Sequence, residues 1–471
     1  MSKVVDEAVK KADEEYISGL IERARRAQKQ IEFFTQEQVL DLARTIAWTT
    51  VNHAEEWANF NFEETGMGDV PSKIARINNR PRGVMRDLLS AKTVGVVERD
   101  EAKGLVKIAK PVGVIGALVP VTVPVCVTVI TGMNAIMGRN AVVFSPHPTA
   151  KRTIKLVVDK LREVMKSKGL PEDLFLYVED ITMNRSAELM KQCDLVVATG
   201  GAPMVKAAYS SGTPAYGVGA GNVVSVIDGT TDLDQVASMI CESQLNDLSS
   251  GCSTENSVVI FDEVYDRMME AFQRAGAYVC DIGEKRKLQD VLWTAPGKLN
   301  SKVIMRPATA IAAAAGIDMP ADRTFILVEE TGAGPDYPFS NEKLSVVIAV
   351  YRAKDLEEAI QKTNLIQSYK GAGHSCGIHS SREDRIMEFA MRTYTSRVAV
   401  NQPQNKSNAG NFNNGMPFTI SLGCGTWGGN ITSENITWKH YINTTWVARP
   451  IKGVEPSDRD LFGDTMNMQI I

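Results

Sequence analysis

Between Pro111 and Gly138 the chain carries no charged residue. A run of that length can cross a bilayer as a helix, so what it does instead decides the fold. Pro120 and Pro124 cut it, and Thr122, Thr128, Thr131 and Asn134 make it only partly apolar. Proline inside a helix removes a hydrogen bond and clashes with the preceding turn. The run therefore reads as a buried strand over 112–119, a turn at the prolines, and a buried helix over 125–138. Continuous apolar strands of this kind belong to parallel sheets covered on both faces.

The sequence downstream repeats the pattern. Strands are expected at 140–145, 174–178, 195–199 and 223–227. Helices are expected from 149 to a stop at Gly169-Leu170-Pro171, and at 185–192 and 203–210. This alternation is βαβ grammar and predicts an α/β fold with a parallel sheet and crossover helices. A second α/β run extends from Asp232 to about Met391. Upstream, Val5, Ala8, Ala12, Tyr16, Leu20, Ala24, Ala27 and Ile31 recur at helical spacing, giving an amphipathic helix or pair of helices packed on its own domain. A helix that directs the chain to an assembly would show the same pattern. Residues 36–92 continue as helices, with Thr35 and Thr65 as boundary signals. Residues 93–110 alternate as a hairpin, 437–447 as a strand with an exposed edge, and 452–471 read as a polar extension.

Length and charge exclude other classes. At 471 residues, and roughly 150 per domain, about three lobes are expected. Lys and Arg number 52 against 56 Asp and Glu, a net charge of −4, without the basic excess of a nucleic-acid binder. Seven cysteines, an odd number with no CxxC spacing, indicate reduced thiols and a cytoplasmic setting. The charged start Met1–Glu7 lacks the apolar core of a secretory signal.

Five segments carry chemistry. Asp194–Gly201 ends a strand in Gly200-Gly201 and opens a helix, where free amides favour a phosphate; a tight strand–helix turn has the same sequence. Gly212–Asn222 holds four glycines in eleven residues, allowing close backbone approach to a ligand or making a plain loop. In Asn246–Asn256, small neighbours keep Cys252 reachable and local amides favour its thiolate, although a lone cysteine also serves as a buried hydrophobe. Gly371–His379 groups His374, Cys376 and His379, but the spacing fits no standard zinc pattern, so no metal is expected. Asn405–Asn414 and Gly423–Asn430 are amide- and glycine-rich, as suits a loop lining a polar or anionic ligand, or a surface turn.

Taken together and in order, these segments resemble the aldehyde dehydrogenase superfamily. The closer likeness is to its coenzyme A-acylating branch, which includes acylating acetaldehyde, succinate-semialdehyde and sulfoacetaldehyde dehydrogenases. The most telling stretches are 140–148, 198–222, 252–257, 401–414 and 422–430. The resemblance implies a Rossmann-type NAD(P)-binding domain over 1–235, a catalytic domain over 236–425, and an oligomerisation element. That element combines the 93–110 hairpin with a strand in 426–471 and serves a homodimer or dimer of dimers. It implies NAD or NADP as cofactor and coenzyme A as co-substrate. Cys252 matches the nucleophile that attacks the aldehyde and carries the acyl group. Glu342 matches the glutamate at the nicotinamide ribose. Ser145, His147 and Lys151 lie where the adenosine ribose binds, and Thr199, Gly200 and Gly201 match the pyrophosphate turn.

Gly217 stands where hydrolytic members carry a water-activating glutamate, which points to acyl transfer to a thiol. Thr122, Val123, His374, Lys406 and Asn414 are candidates for contact with a short anionic aldehyde, with sulfoacetaldehyde first and succinate semialdehyde or acetaldehyde next. One departure stands out. Pro120-Val-Thr-Val-Pro124 places Val123 where the family has an oxyanion-binding asparagine. Losing such a donor costs about 3–4 kcal/mol, so a catalytically weakened nucleotide- or acyl-CoA-binding relative is the alternative.

Overall fold

The computed structural model describes residues 2–467, with side chains from residue 7 onward. The charge-free run folds as the prolines require. Val114–Val119 is a strand buried along its whole length, and Pro124–Met137 is a helix in which every residue is buried. Pro124 occupies the first helical position, where its missing N–H costs nothing. Among the described residues no helix is long and apolar enough to cross a membrane.

Two parallel sheets form the body. The first has five strands in the order Phe175–Tyr177, Ala141–Pro146, Val114–Val119, Leu195–Thr199, Ala215–Val218. The second has seven, in the order Ala277–Val279, Phe325–Glu329, Val347–Ala353, Glu255–Phe261, Val223–Ile227, Cys376–His379, Val398–Val400. Each sheet has its own apolar core. Two sequence expectations change here. Val223–Ile227 closes no first unit: it pairs with Glu255–Phe261 and Cys376–His379, so the chain passes between sheets over 219–222 rather than near 235. Within the glycine-rich stretch, Ala215–Val218 is a strand, because its backbone pairs with Val196–Thr199.

Residues 2–31 form one helix, whose buried stripe is the expected one from Leu20 onward and differs before it. Ala8 and Ala12 are exposed, whereas Asp13 is buried against Arg185 at 2.6 Å, followed by Ile17, Leu20, Ala24, Ala27 and Ile31. Helices follow at Gln36–Asn52, Ala54–Thr65 and Val70–Leu88. Thr35 caps the first through a reciprocal pair with Gln38, and Gly66 ends the second in the left-handed conformation. The hairpin Gly95–Asp100 and Leu105–Pro111 takes Ile442–Ala448 as its third antiparallel strand. Phe418, Ile436 and Tyr441 return the chain to the first core. The final described segment, 449–467, is exposed throughout.

Candidate active site

The first sheet reverses strand order between Val114–Val119 and Leu195–Thr199, the first and fourth of its strands in the chain. Ligands of such sheets bind beyond the carboxyl ends of the strands at that point. There Pro120–Val123 and Thr199–Gly201 form one wall of a cavity of about 300 Å³. The opposite wall comes from the amino ends of three adjacent strands of the second sheet: Gly219 and Ala220 precede Val223–Ile227, Cys252 precedes Glu255–Phe261, and Glu342 precedes Val347–Ala353. His374, before the next strand Cys376–His379, does not line the cavity and is buried against Cys252. Parallel pairing therefore delivers residues distant in sequence to one line.

Cys252 is the centre of this line. Its Sγ lies 3.2 Å from His374 Nε2, while His374 Nδ1 lies 2.8 Å from Ser375 Oγ. The tautomer that donates from Nδ1 to Ser375 leaves Nε2 to accept the thiol proton. Burial pushes the Cys252 thiol up to about 12, with the Glu342 carboxyl adding to the effect. Burial, then Arg397, drives His374 down to about 3, so its ring is neutral. Arg397 also anchors this wall. It donates to His374 O at 2.7 Å, Gly423 O at 2.7 Å, and Asn435 Oδ1 at 2.7 Å. Gly221 lets the strands converge: a Cβ there would lie 1.8 Å from Cys252 O and 3.1 Å from His374 Cε1. The Gly221 N–H donates to Glu342 Oε1 at 3.3 Å, and burial raises that carboxyl to about 7.

The loop that presents the thiol is strained. Asp247, Leu248 and Ser249 all have positive φ, at 54°, 50° and 60°. Left-handed residues that are not glycine cost roughly 1–2 kcal/mol each. Asp247 holds the loop: its buried carboxylate accepts from Arg76 at 2.9 Å, Lys73 at 3.2 Å, Asp69 N at 2.9 Å and Ser250 Oγ at 2.7 Å. Arg76 and Lys73 belong to the helix Val70–Leu88. Burial alone would raise the Asp247 carboxyl, but Arg76 and Lys73 hold it below its ordinary value.

The other predicted residues divide. Thr122, Val123, His147, Thr199, Gly200 and Gly201 line the same cavity as Cys252 and Glu342. Thr199 Oγ1 pairs with Ser421 Oγ at 2.8 Å, and His147 Nδ1 caps its own turn by accepting from Thr149 N. Ser145, Lys151, Gly217, Lys406 and Asn414 do not line it. Ser145 is buried with its hydroxyl on Ser186. Lys151 is exposed at a helix start where the Glu64 carboxylate already takes the amides of Arg152 and Thr153. A Cβ on Gly217 would stand 2.9 Å from both Val205 and Tyr209, so packing on the helix Ala202–Tyr209 requires glycine. Lys406 is paired with Glu242 on an adjoining groove, and Asn414 closes its own loop onto Gln402 and Ser407. Cys126 is buried in the first core, and Cys376 directs its sulfur to Thr393. Sequence reasoning missed Arg76 and Arg80, which line the cavity, and Arg397, which anchors His374; Asn405, on the cavity, and Asp247, behind the thiol loop, lie in stretches it singled out without naming them.

Comparison with known proteins agrees with this architecture. The sequence pattern of the aldehyde dehydrogenase family matches residues 2–291. A sulfoacetaldehyde dehydrogenase of an Acholeplasma species is 43% identical over 454 residues, spanning 95% of this chain and 94% of the relative. An acylating sulfoacetaldehyde dehydrogenase of Bilophila wadsworthia is 40% identical, spanning 95% and 98%. The crystal structure of an acetylating aldehyde dehydrogenase from Geobacillus thermoglucosidasius superposes with a TM-score of 0.91 at 32% identity, covering 95% of this chain and 99% of that one. The chain belongs to the aldehyde dehydrogenase family.

Proposed function

We propose that the protein converts a short anionic aldehyde, sulfoacetaldehyde first, to its coenzyme A thioester with reduction of NAD or NADP. The observation that carries this reading is the contact at 3.2 Å between the buried His374 and Cys252, which lines the cavity between the two sheets. The resting thiol is protonated, so its proton must leave as the sulfur bonds to the carbonyl carbon. His374 Nε2 is the acceptor in reach. The developing oxyanion sits beside the Cys252 amide, which faces its own sulfur. That amide, with the Thr122 hydroxyl on the same cavity, offers donors that Val123 lacks.

The remaining walls fit a dinucleotide. The N–H groups of Gly201 and Ala202, opening the helix Ala202–Tyr209, donate to nothing among the described residues. A Cβ at Gly219 would meet no atom within 4 Å, so the chain leaves space where the cofactor would run. Thr199, Gly200 and Gly201 would hold its pyrophosphate, and Glu342 its nicotinamide ribose. When bound, the nicotinamide supplies a two-electron hydride acceptor. The acyl group then rests on Cys252 as a thioester, and glycine at 217 supplies no carboxylate to activate water. A thiol, partly ionised already, is the better second nucleophile. Likeness to acylating relatives supports coenzyme A in that role.

The same reading assigns the first sheet to the cofactor and the second to catalysis. It takes the hairpin and Ile442–Ala448 as the surface for a second copy, since the sheet's two outer strands leave an edge. The test is NAD(P)H formation from sulfoacetaldehyde, succinate semialdehyde and acetaldehyde, with and without coenzyme A. Coenzyme A-dependent turnover, falling about a thousandfold or more in Cys252→Ala, is expected. Turnover indifferent to coenzyme A would overturn the reading.

A further inference from the structure

Arg76 and Arg80 lie one helical turn apart on Val70–Leu88, and both line the Cys252 cavity and the larger groove outside it. Their charges are not balanced. Lys73 and Arg76 are both paired with the buried Asp247, and that carboxylate does not extend to Arg80. Arg80 forms no ion pair among the described residues. Its only hydrogen bonds leave from Nη1, to the carbonyls of Ala409 and Gly410, both at 2.8 Å. Nε and Nη2 have no protein partner among the described residues. Burial, then Arg76, pushes the Arg80 guanidinium down to about 10, so an anion beside it would relieve a cost. Arg76 donates from Nη2 to Ser250 Oγ at 3.3 Å, two residues before the nucleophile. The cationic pair therefore sits on the loop that carries the thiol. Lys406, the cation expected from sequence, is already paired with Glu242.

We propose that Arg80, with Arg76 behind it, is the anion-binding half of the aldehyde site, gripping a sulfonate or carboxylate carried by the substrate. This rests on the aldehyde-oxidising reading above. A guanidinium with two free donors matches two oxygens of either head group. It would fix the far end of the aldehyde while the carbonyl faces Cys252.

The experiment has two arms on the full-length protein, Arg80→Gln, Arg80→Lys and Lys406→Ala. The first is kcat/KM with coenzyme A for sulfoacetaldehyde, succinate semialdehyde and propionaldehyde. Arg80→Gln is expected to lower the ratio of anionic to neutral substrate about 30-fold or more through KM. Arg80→Lys should recover part of it, and Lys406→Ala should leave the ratio within about threefold. Whichever anionic aldehyde loses more identifies the head group. The second arm needs no turnover: ethanesulfonate or propionate should slow iodoacetamide alkylation of Cys252. That protection should be lost in Arg80→Gln, while the neutral ethyl methyl sulfone should give none. An equal fall for all three aldehydes with protection retained would overturn the proposal. So would wild-type protein that turns over only propionaldehyde and gains no protection, although the catalytic reading would then survive. Absence of turnover with any aldehyde, while ethanesulfonate still protects through Arg80, would sink the catalytic reading and keep the anion site.

Discussion

The two walls of the cavity are built by opposite means. The wall from the first sheet is mostly backbone: Thr199-Gly200-Gly201 and Pro120–Val123 present amides and small side chains, and Gly219, opposite, faces open space. The wall from the second sheet is a fixed network of side chains. His374 contacts Cys252, Gly221 packs on Cys252 and donates to Glu342, Arg397 anchors His374, and Asp247 clamps the strained loop to the helix Val70–Leu88. The difference follows from the two tasks. A dinucleotide is recognised by close backbone approach, whereas bond-making demands that sulfur and base be held to a fraction of an ångström.

If that contrast is right, the rigid wall is the one that breaks. Asp247→Asn removes the carboxylate paired with Lys73 and Arg76 and releases three left-handed residues. Breaking such a pair typically costs about 3–5 kcal/mol, which denaturant unfolding should detect. Its effect on pH follows the same sign. The Asp247 carboxyl is held below its unfolded value, so its stabilisation is complete above that value and fades as pH falls through the folded one.

His374→Ala removes the proposed proton acceptor without touching the wall from the first sheet. A fall in kcat of roughly 100- to 10,000-fold is expected, with cofactor KM little changed. Two glycines test the comparison directly. Gly221→Ala drives a Cβ into the Cys252 carbonyl and should cost about 100-fold in turnover through displacement of the sulfur. Gly219→Ala meets open space and should raise cofactor KM while keeping the rate of Cys252 alkylation within about threefold.

The smallest effect concerns charge. Glu342, raised by burial to about 7, becomes anionic above neutrality and holds the neighbouring thiol protonated. Glu342→Gln removes that opposition, so alkylation of Cys252 above pH 7 should quicken, by less than about tenfold. An unchanged pH profile would show that the two groups do not communicate.

The same contrast explains what was readable in the sequence. The backbone wall was legible because its signal is local: a strand ending in Gly200-Gly201 and prolines cutting a charge-free run. Of the other wall only Cys252, a cysteine among small residues, had such a local signal. Glycine turns announce themselves within a few residues. Asp247 and its partner Lys73 lie 174 positions apart, and no spacing rule joins them. Arg76 and Arg80 lie in a stretch legible only as helix, and it is the fold that brings the loop 247–252 and Ala409-Gly410 against them. Ala215–Val218 lacks a strand-like pattern, and only pairing with the neighbouring strand makes it one. In the first turns of the first helix the buried position is Asp13 rather than the expected Ala12, because Arg185, far along the chain, receives it.

The central claim is that Cys252 carries an acyl group whose release needs a second thiol. The direct measurement is a rapid-mixing experiment with sulfoacetaldehyde and each nicotinamide cofactor in turn, without coenzyme A, followed by mass spectrometry of the Cys252 peptide. The account predicts a stoichiometric burst of reduced cofactor, an acyl adduct on Cys252, and discharge of the adduct when coenzyme A is added. Continuous turnover without coenzyme A and without an adduct, or a burst that persists in Cys252→Ala, would contradict it.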